Sequence, residues 1–164
     1  MKKTLALVLA VSALTACSAQ PAAEPTAPAP APSAVDGAVQ PEKITLTAGR
    51  ATVEGSEADV VRFKDRIVYR FEADENRPAK VTCAEDCLVI WPPLLTDGTP
   101  VAVTGVDQAL VGEVTRADGR HQVTLDGWPL YLFKNDQSPS DTGGEGVGGN
   151  WSVIRPDGKP VVKK

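Results

Sequence analysis

From Glu42 onward, apolar and polar residues alternate over short stretches broken by turn residues, which is the signature of half-buried strands rather than helices. Ile44, Leu46 and Thr52-Val53 alternate with an interruption at Gly49. Val60 to Phe63 runs through Lys64-Asp65-Arg66 into Ile67 to Phe71, which predicts a hairpin. Three further strands are expected at Leu110–Thr115, His121–Leu125 and Pro129–Phe133, joined by the turn sequences Ala117-Asp118-Gly119 and Asp126-Gly127. A last strand, Trp151–Ile154, turns at Pro156-Asp157-Gly158 into Val161-Val162. No stretch after residue 42 sustains a helical period, and Val106 to Val111 has room for one short turn. The expectation is an all-β fold, a compact small sandwich or partly closed barrel.

Within this pattern one motif occurs twice. Tyr69-Arg70-Phe71-Glu72-Ala73-Asp74 and Tyr131-Leu132-Phe133-Lys134-Asn135-Asp136 share Tyr-x-Phe-x-x-Asp. On a strand the Tyr and Phe lie on one face and the intervening residue on the other. The echo continues with Pro78 and Pro139 and closes on Trp91 and Trp151. Two pseudo-repeated β units follow, at about 60–95 and 115–155, inside a folded region spanning 42–164. Two copies are too few for a solenoid or a full propeller.

The pattern before residue 42 is different. Lys2 and Lys3 precede an apolar run from Leu5 to Leu14 that is too short to anchor in a bilayer, so residues 1–16 read as an export signal. Leu14-Thr15-Ala16-Cys17 resembles the lipobox of bacterial lipoproteins. That resemblance implies cleavage before Cys17, diacylglycerol on its sulfur and an acylated new amino terminus, a set of chains sufficient for stable anchoring. Ser18 in place of Asp after the Cys resembles the class sorted to the outer membrane where a cell has two membranes. Residues 17–41 then form a linker rich in Ala and Pro, with Pro21, Pro25, Pro28, Pro30 and Pro32 spaced too closely for helix or sheet. In polyproline II such a tether could hold the domain up to about 60 Å from the membrane. Its other reading is a proline-rich ligand for a recognition domain.

Composition removes several functions. With a formal net charge of -4 and no basic cluster, nucleic acid is not an expected partner. One His and no Met beyond Met1 leave too few ligands for a blue-copper site, His/Met haem ligation or a multi-His zinc site. No metal and no cofactor are expected. His121 alternates with Val123 and Leu125 as a surface or edge-strand residue, and no Gly-x-Ser-x-Gly elbow accompanies it, so no hydrolase is expected.

Together, the paired motifs, Cys83-Ala84-Glu85-Asp86-Cys87 leading to Trp91-Pro92-Pro93-Leu94, and Gly127-Trp128-Pro129-Leu130-Tyr131 leading to Ser140-Asp141-Thr142-Gly143 and Trp151 resemble the bacterial secreted-repeat lipoproteins, whose motif is Yx(F/W/Y)xxD. The resemblance covers about residues 60 to 155. It implies an envelope lipoprotein with duplicated β units and brings no enzyme activity with it.

Some candidate chemistry remains. Once Cys17 carries lipid, Cys83 and Cys87 form an even pair in an oxidising compartment, and a structural disulfide is expected. Closing so small a loop contributes only about 2 kcal/mol. A redox-active dithiol is the alternative, and Glu85 and Asp86 oppose it by disfavouring thiolate. Asp74 and Asp136 read as turn formers accepting N–H groups two or three residues on. The run Gly143 to Gly149 reads as a flexible loop, with calcium held by Asp136, Asp141 and Glu145, or an anion on its N–H groups, as alternatives. Tyr69, Phe71, Trp91, Trp128, Tyr131, Phe133 and Trp151 read as core, or as the walls of a groove that stacks a sugar or another flat group. The function expected is a non-enzymatic binding or structural accessory tethered to the membrane, with an unknown envelope protein or small ligand as partner. A redox or electron-transfer accessory using Cys83 and Cys87 is the alternative.

Overall fold

The computed structural model describes residues 43–161. The expected export signal, Cys17, the expected tether and Val162 onward lie outside them. Within them the fold is mostly β, as the alternation predicts, and consists of several small sheets, none of them closed.

The chain begins with β1 (Thr45–Val53), β2 (Ser56–Phe63), β3 (Arg66–Ile67) and β4 (Tyr69–Phe71), an antiparallel meander through turns at Glu54-Gly55 and Lys64-Asp65. β1 runs straight through Gly49, where an interruption is expected. Its ladder to β2 is unbroken from Leu46↔Phe63 to Val53↔Ser56, and the Arg62 side chain occupies the space a Cβ at Gly49 would take. A small hairpin of β5 (Glu75–Asn76) and β6 (Ala79–Lys80) precedes α1 (Asp86–Ile90), a five-residue helix too short to show a period in sequence. β7 (Leu95–Thr96) and β8 (Ala102–Thr104) follow, the latter parallel to β1. A 3-10 turn at Gln108–Leu110, capped by the Asp107 carboxylate accepting from the Ala109 N–H, is the short turn expected there. A second meander comprises β9 (Val111–Thr115), β10 (His121–Leu125) and β11 (Trp128–Pro129), and β12 (Trp151–Val153) pairs with β4. His121 is on the surface as expected, with its Nδ1 3.4 Å from Glu113 Oε1, but β10 is flanked by β9 and β7 and is not an edge.

The two meanders are copies. Val68 N–H donates to Val61 O as Leu130 N–H does to Val123 O, and Val61 N–H to Ile154 O as Val123 N–H does to Leu94 O. Likewise Glu72 N–H donates to Asn150 O as Lys134 N–H does to Ile90 O. Each relation holds under a shift of 62 residues before the motif Asp and 60 at the closing Trp. The duplication therefore starts earlier than the motifs reveal, because β1 and β9 are counterparts, and it is interlocked. The segment after Trp151 pairs with the first motif strand, Val153 opposite Tyr69, and the segment after Trp91 pairs with the second, Pro93 opposite Tyr131. Each unit completes the other's sheet.

Two apolar clusters result. One gathers Ile44, Leu46, Val61, Phe63, Leu94, Val123, Leu125 and Leu130, the other the motif rings with Cys83, Leu88, Trp91, Trp151 and Val153.

Candidate functional site

The two motif tyrosines meet at the pseudo-twofold axis. Tyr69 and Tyr131 exchange both backbone hydrogen bonds, each 2.9 Å, and both are fully buried. From there the side chains cross. Tyr69 donates its hydroxyl to Asp136 at 2.5 Å, and Tyr131 donates to Asp74 at 2.7 Å, so each tyrosine serves the aspartate of the other unit. The remaining carboxylate oxygens reach down their own loops. Asp74 accepts from the N–H and hydroxyl of Thr82, and Asp136 from the N–H of Gly143. Both aspartates do close a tight turn, their N–H groups donating to Phe71 O and Phe133 O. Their carboxylates, though, accept seven or eight residues downstream and across the axis rather than two or three residues on. A buried carboxylate needs several donors, and the local turn supplies too few.

Equivalence of Thr82 with Gly143 aligns Cys83 with Gly144. In the second unit glycine is required there because a Cβ would lie 2.8 Å from both the Trp91 and the Tyr69 rings. Tyr69 also accepts from the Gly144 N–H at 3.2 Å.

Beside the tyrosines the other motif rings form one continuous stack. Phe71 lies on Trp151 at 4.3 Å between centroids, Trp151 on Trp91 at 3.7 Å and nearly parallel, and Trp91 against Phe133 at 4.6 Å. Tyr69 and Tyr131 meet Trp91 and Trp151 edge-on at 5.5 and 5.1 Å. Edge-to-face and offset contacts of this kind add about 0.5–1.5 kcal/mol each beyond the area they bury. Trp91, Trp151 and Phe133 are at most 8% exposed, so the rings fill the interior rather than line an open groove.

Trp128 is the motif-associated residue that the structure keeps apart. Half-buried, it lies under the Arg70 guanidinium, 4.0 Å from the ring centroid, while Arg70 chelates Glu72 and donates to Gly158 O. Cys83 and Cys87 are joined in a disulfide as expected, Cys83 packed inside the ring cluster and Cys87 at its margin. Sequence reasoning missed Arg116, a buried guanidinium that donates to Gln122 and to Cys83 O and so ties the second meander to the disulfide loop. Its place between a strand ending at Thr115 and the turn Ala117-Asp118-Gly119 gave no signal. The carboxylates of the Gly-rich loop are engaged by the fold: Asp141 accepts from the N–H groups of Gln137 and Ser138, and Glu145 from that of Val153. Among the described residues no three His, Cys, Asp or Glu side chains are grouped to hold a metal ion.

Burial pushes both tyrosine hydroxyls well above the ordinary phenol range, reinforced by the carboxylate each one faces. They remain protonated donors. Burial likewise raises the Asp136 carboxyl, against the pull of the Tyr69 and Gly143 hydrogen bonds. A carboxyl raised in the folded state contributes stability that is complete below its unfolded value of about 3.9 and is lost as pH rises through the folded one. Relative to Asp136→Asn, the wild-type chain is therefore expected to lose stability across the interval from about pH 4 upward. Urea unfolding of both proteins across that interval checks this, and a difference that grows with pH would contradict it.

With this geometry in place, comparison with known proteins has a defined object. Residues 112–161 match the family model Lipoprotein_15, a secreted repeat of unknown function. The matched stretch is the second unit, from β9 through the motif, the Gly-rich loop and β12. It bears out the resemblance drawn from the paired motifs, and the first unit is the structural counterpart of this secreted repeat. No curated protein and no solved structure matched the chain.

Proposed function

We propose that the chain is an envelope lipoprotein anchored through Cys17 and acting as a non-enzymatic binding or structural accessory. The supporting observation is the closed state of its repeated chemistry. Both Tyr–Asp pairs, the four stacked rings and the disulfide are engaged with one another in the fold, which supports reading the motif as a clasp between two units. A secreted repeat of this kind needs a separate means of staying at the membrane, and the lipobox-like Leu14-Thr15-Ala16-Cys17 supplies it. The Ala/Pro tether then sets the distance over which the domain can reach, and where the cell has two membranes the Ser18 residue favours the outer one. The redox alternative has less support, since Cys83 is 1% exposed and Glu85 and Asp86 lie within the loop.

Cys17→Ser is expected to move the protein from the membrane to the soluble fraction and to abolish incorporation of labelled palmitate. Unchanged membrane fractionation would overturn the anchoring.

A further inference from the structure

The two units differ at one sheet edge. Facing pairs Leu46↔Phe63 and Val111↔Leu125 occupy equivalent places in the two meanders. In the first unit the outer edge of β1 is covered by β8, which runs parallel with Leu46 opposite Val103. In the second unit the equivalent edge of β9 pairs with no strand among the described residues. Asp126 N–H donates to Leu110 O and Arg116 N–H to Arg120 O, so in the alternating antiparallel pattern Gly112 and Val114 bond toward β10. Glu113 and Thr115 consequently direct their N–H and C=O groups away from the sheet, as Leu46 does toward β8, and Val111 directs its C=O there while its N–H closes the 3-10 turn onto Gln108 O.

Along this edge runs a groove of about 180 Å³, whose opposite wall is the Thr96–Val101 segment. Glu113 lines it, and no Lys or Arg does. Asp97 and Asp107, at the starts of the adjoining turns, add negative charge around it. Val103, the β8 residue opposite Leu46, is partly buried against the main core, as Val111 is. An apolar residue presented opposite Val111 would meet the same core.

We propose that the β9 edge is a docking site for an extended segment of a partner polypeptide, added parallel to β9 as β8 is to β1, with an apolar residue opposite Val111 and a basic residue beside Glu113. Backbone hydrogen bonds would supply affinity and the alternate side chains selectivity. The inference names a partner class for the binding accessory proposed above, and its test is independent of the lipid anchor. A second copy of the chain is disfavoured, because antiparallel pairing of β9 with itself about Glu113 sets like charges opposite one another.

The test is hydrogen–deuterium exchange on the full chain in detergent, with an acetylated Lys-Val-Ala-Val-Thr-Lys amide as probe. Exchange within 110–115 is expected to slow at least tenfold at saturating probe. Glu113→Lys, a surface change whose folding is checked by circular dichroism, is expected to weaken the probe at least tenfold, and the probe with both Lys replaced by Glu is expected not to protect the edge. Absence of protection at millimolar probe, protection unaltered by Glu113→Lys, or protection that depends on protein concentration without probe would each overturn the proposal.

Discussion

Trp151→Ala is expected to cost about 4 kcal/mol of folding stability, within the range for removing a buried Trp. The indole is sandwiched between Phe71 and Trp91 and touched edge-on by Tyr131, so its loss opens a cavity at the centre of a four-ring stack. The neighbours cannot collapse into it easily. Trp91 is held by its own contact with Phe133, and the backbone from residue 151 to 153 is fixed by pairing with Phe71 to Tyr69. Since Trp91 is the counterpart in the first unit, Trp91→Ala should cost a similar amount. Urea denaturation followed by far-ultraviolet circular dichroism measures both, and a loss below about 1 kcal/mol for either would show that the stack is not central to stability.

The second large effect concerns the crossed hydroxyls. Tyr131→Phe removes the one donor to Asp74 Oδ2 and is expected to cost about 2–3 kcal/mol, because a buried carboxylate oxygen is left without a partner. Tyr69→Phe removes the donor to Asp136 and also the acceptor for the Gly144 N–H, so it should cost somewhat more. Phe keeps the ring contacts with Trp91 and Trp151, which separates the hydrogen bond from the packing. If crossing is the correct pairing, Tyr131→Phe and Asp74→Asn will be strongly non-additive, whereas Tyr131→Phe and Asp136→Asn will be nearly additive. Unfolding free energies of the singles and doubles decide between the two patterns.

Much of the fold was legible because its strands are punctuated by residues with one conformational meaning. Asp126-Gly127 marks the β10–β11 turn, where both residues take positive φ and a side chain at Gly127 would collide with Asn76 O. The Tyr-x-Phe spacing likewise placed both rings of each motif on one face. Less visible were elements only two or three residues long, β7 and β8, where an alternating pattern has no length in which to declare itself. Nor could periodicity tell that Asp74 answers Tyr131 rather than Tyr69. Two copies of a motif in one chain are equally compatible with each unit folding on itself and with each completing the other. That choice is made by three-dimensional closure, through the segments after Trp91 and Trp151. Arg116 was hidden for a related reason: its partners, Gln122 and Cys83 O, belong to different units.

Such interlocking distinguishes this domain from a pair of independent repeats on a string. A clasp of this kind makes the two units one cooperative body. The most direct measurement separates the halves, producing residues 43–105 and 106–164 as two polypeptides and following each by amide exchange and circular dichroism, alone and mixed. Neither half should fold by itself, and mixing should restore slow exchange at Tyr69 and Tyr131 together. If residues 106–164 alone unfold cooperatively, with Tyr131 protected in the absence of the first unit, the interlocked duplication is wrong.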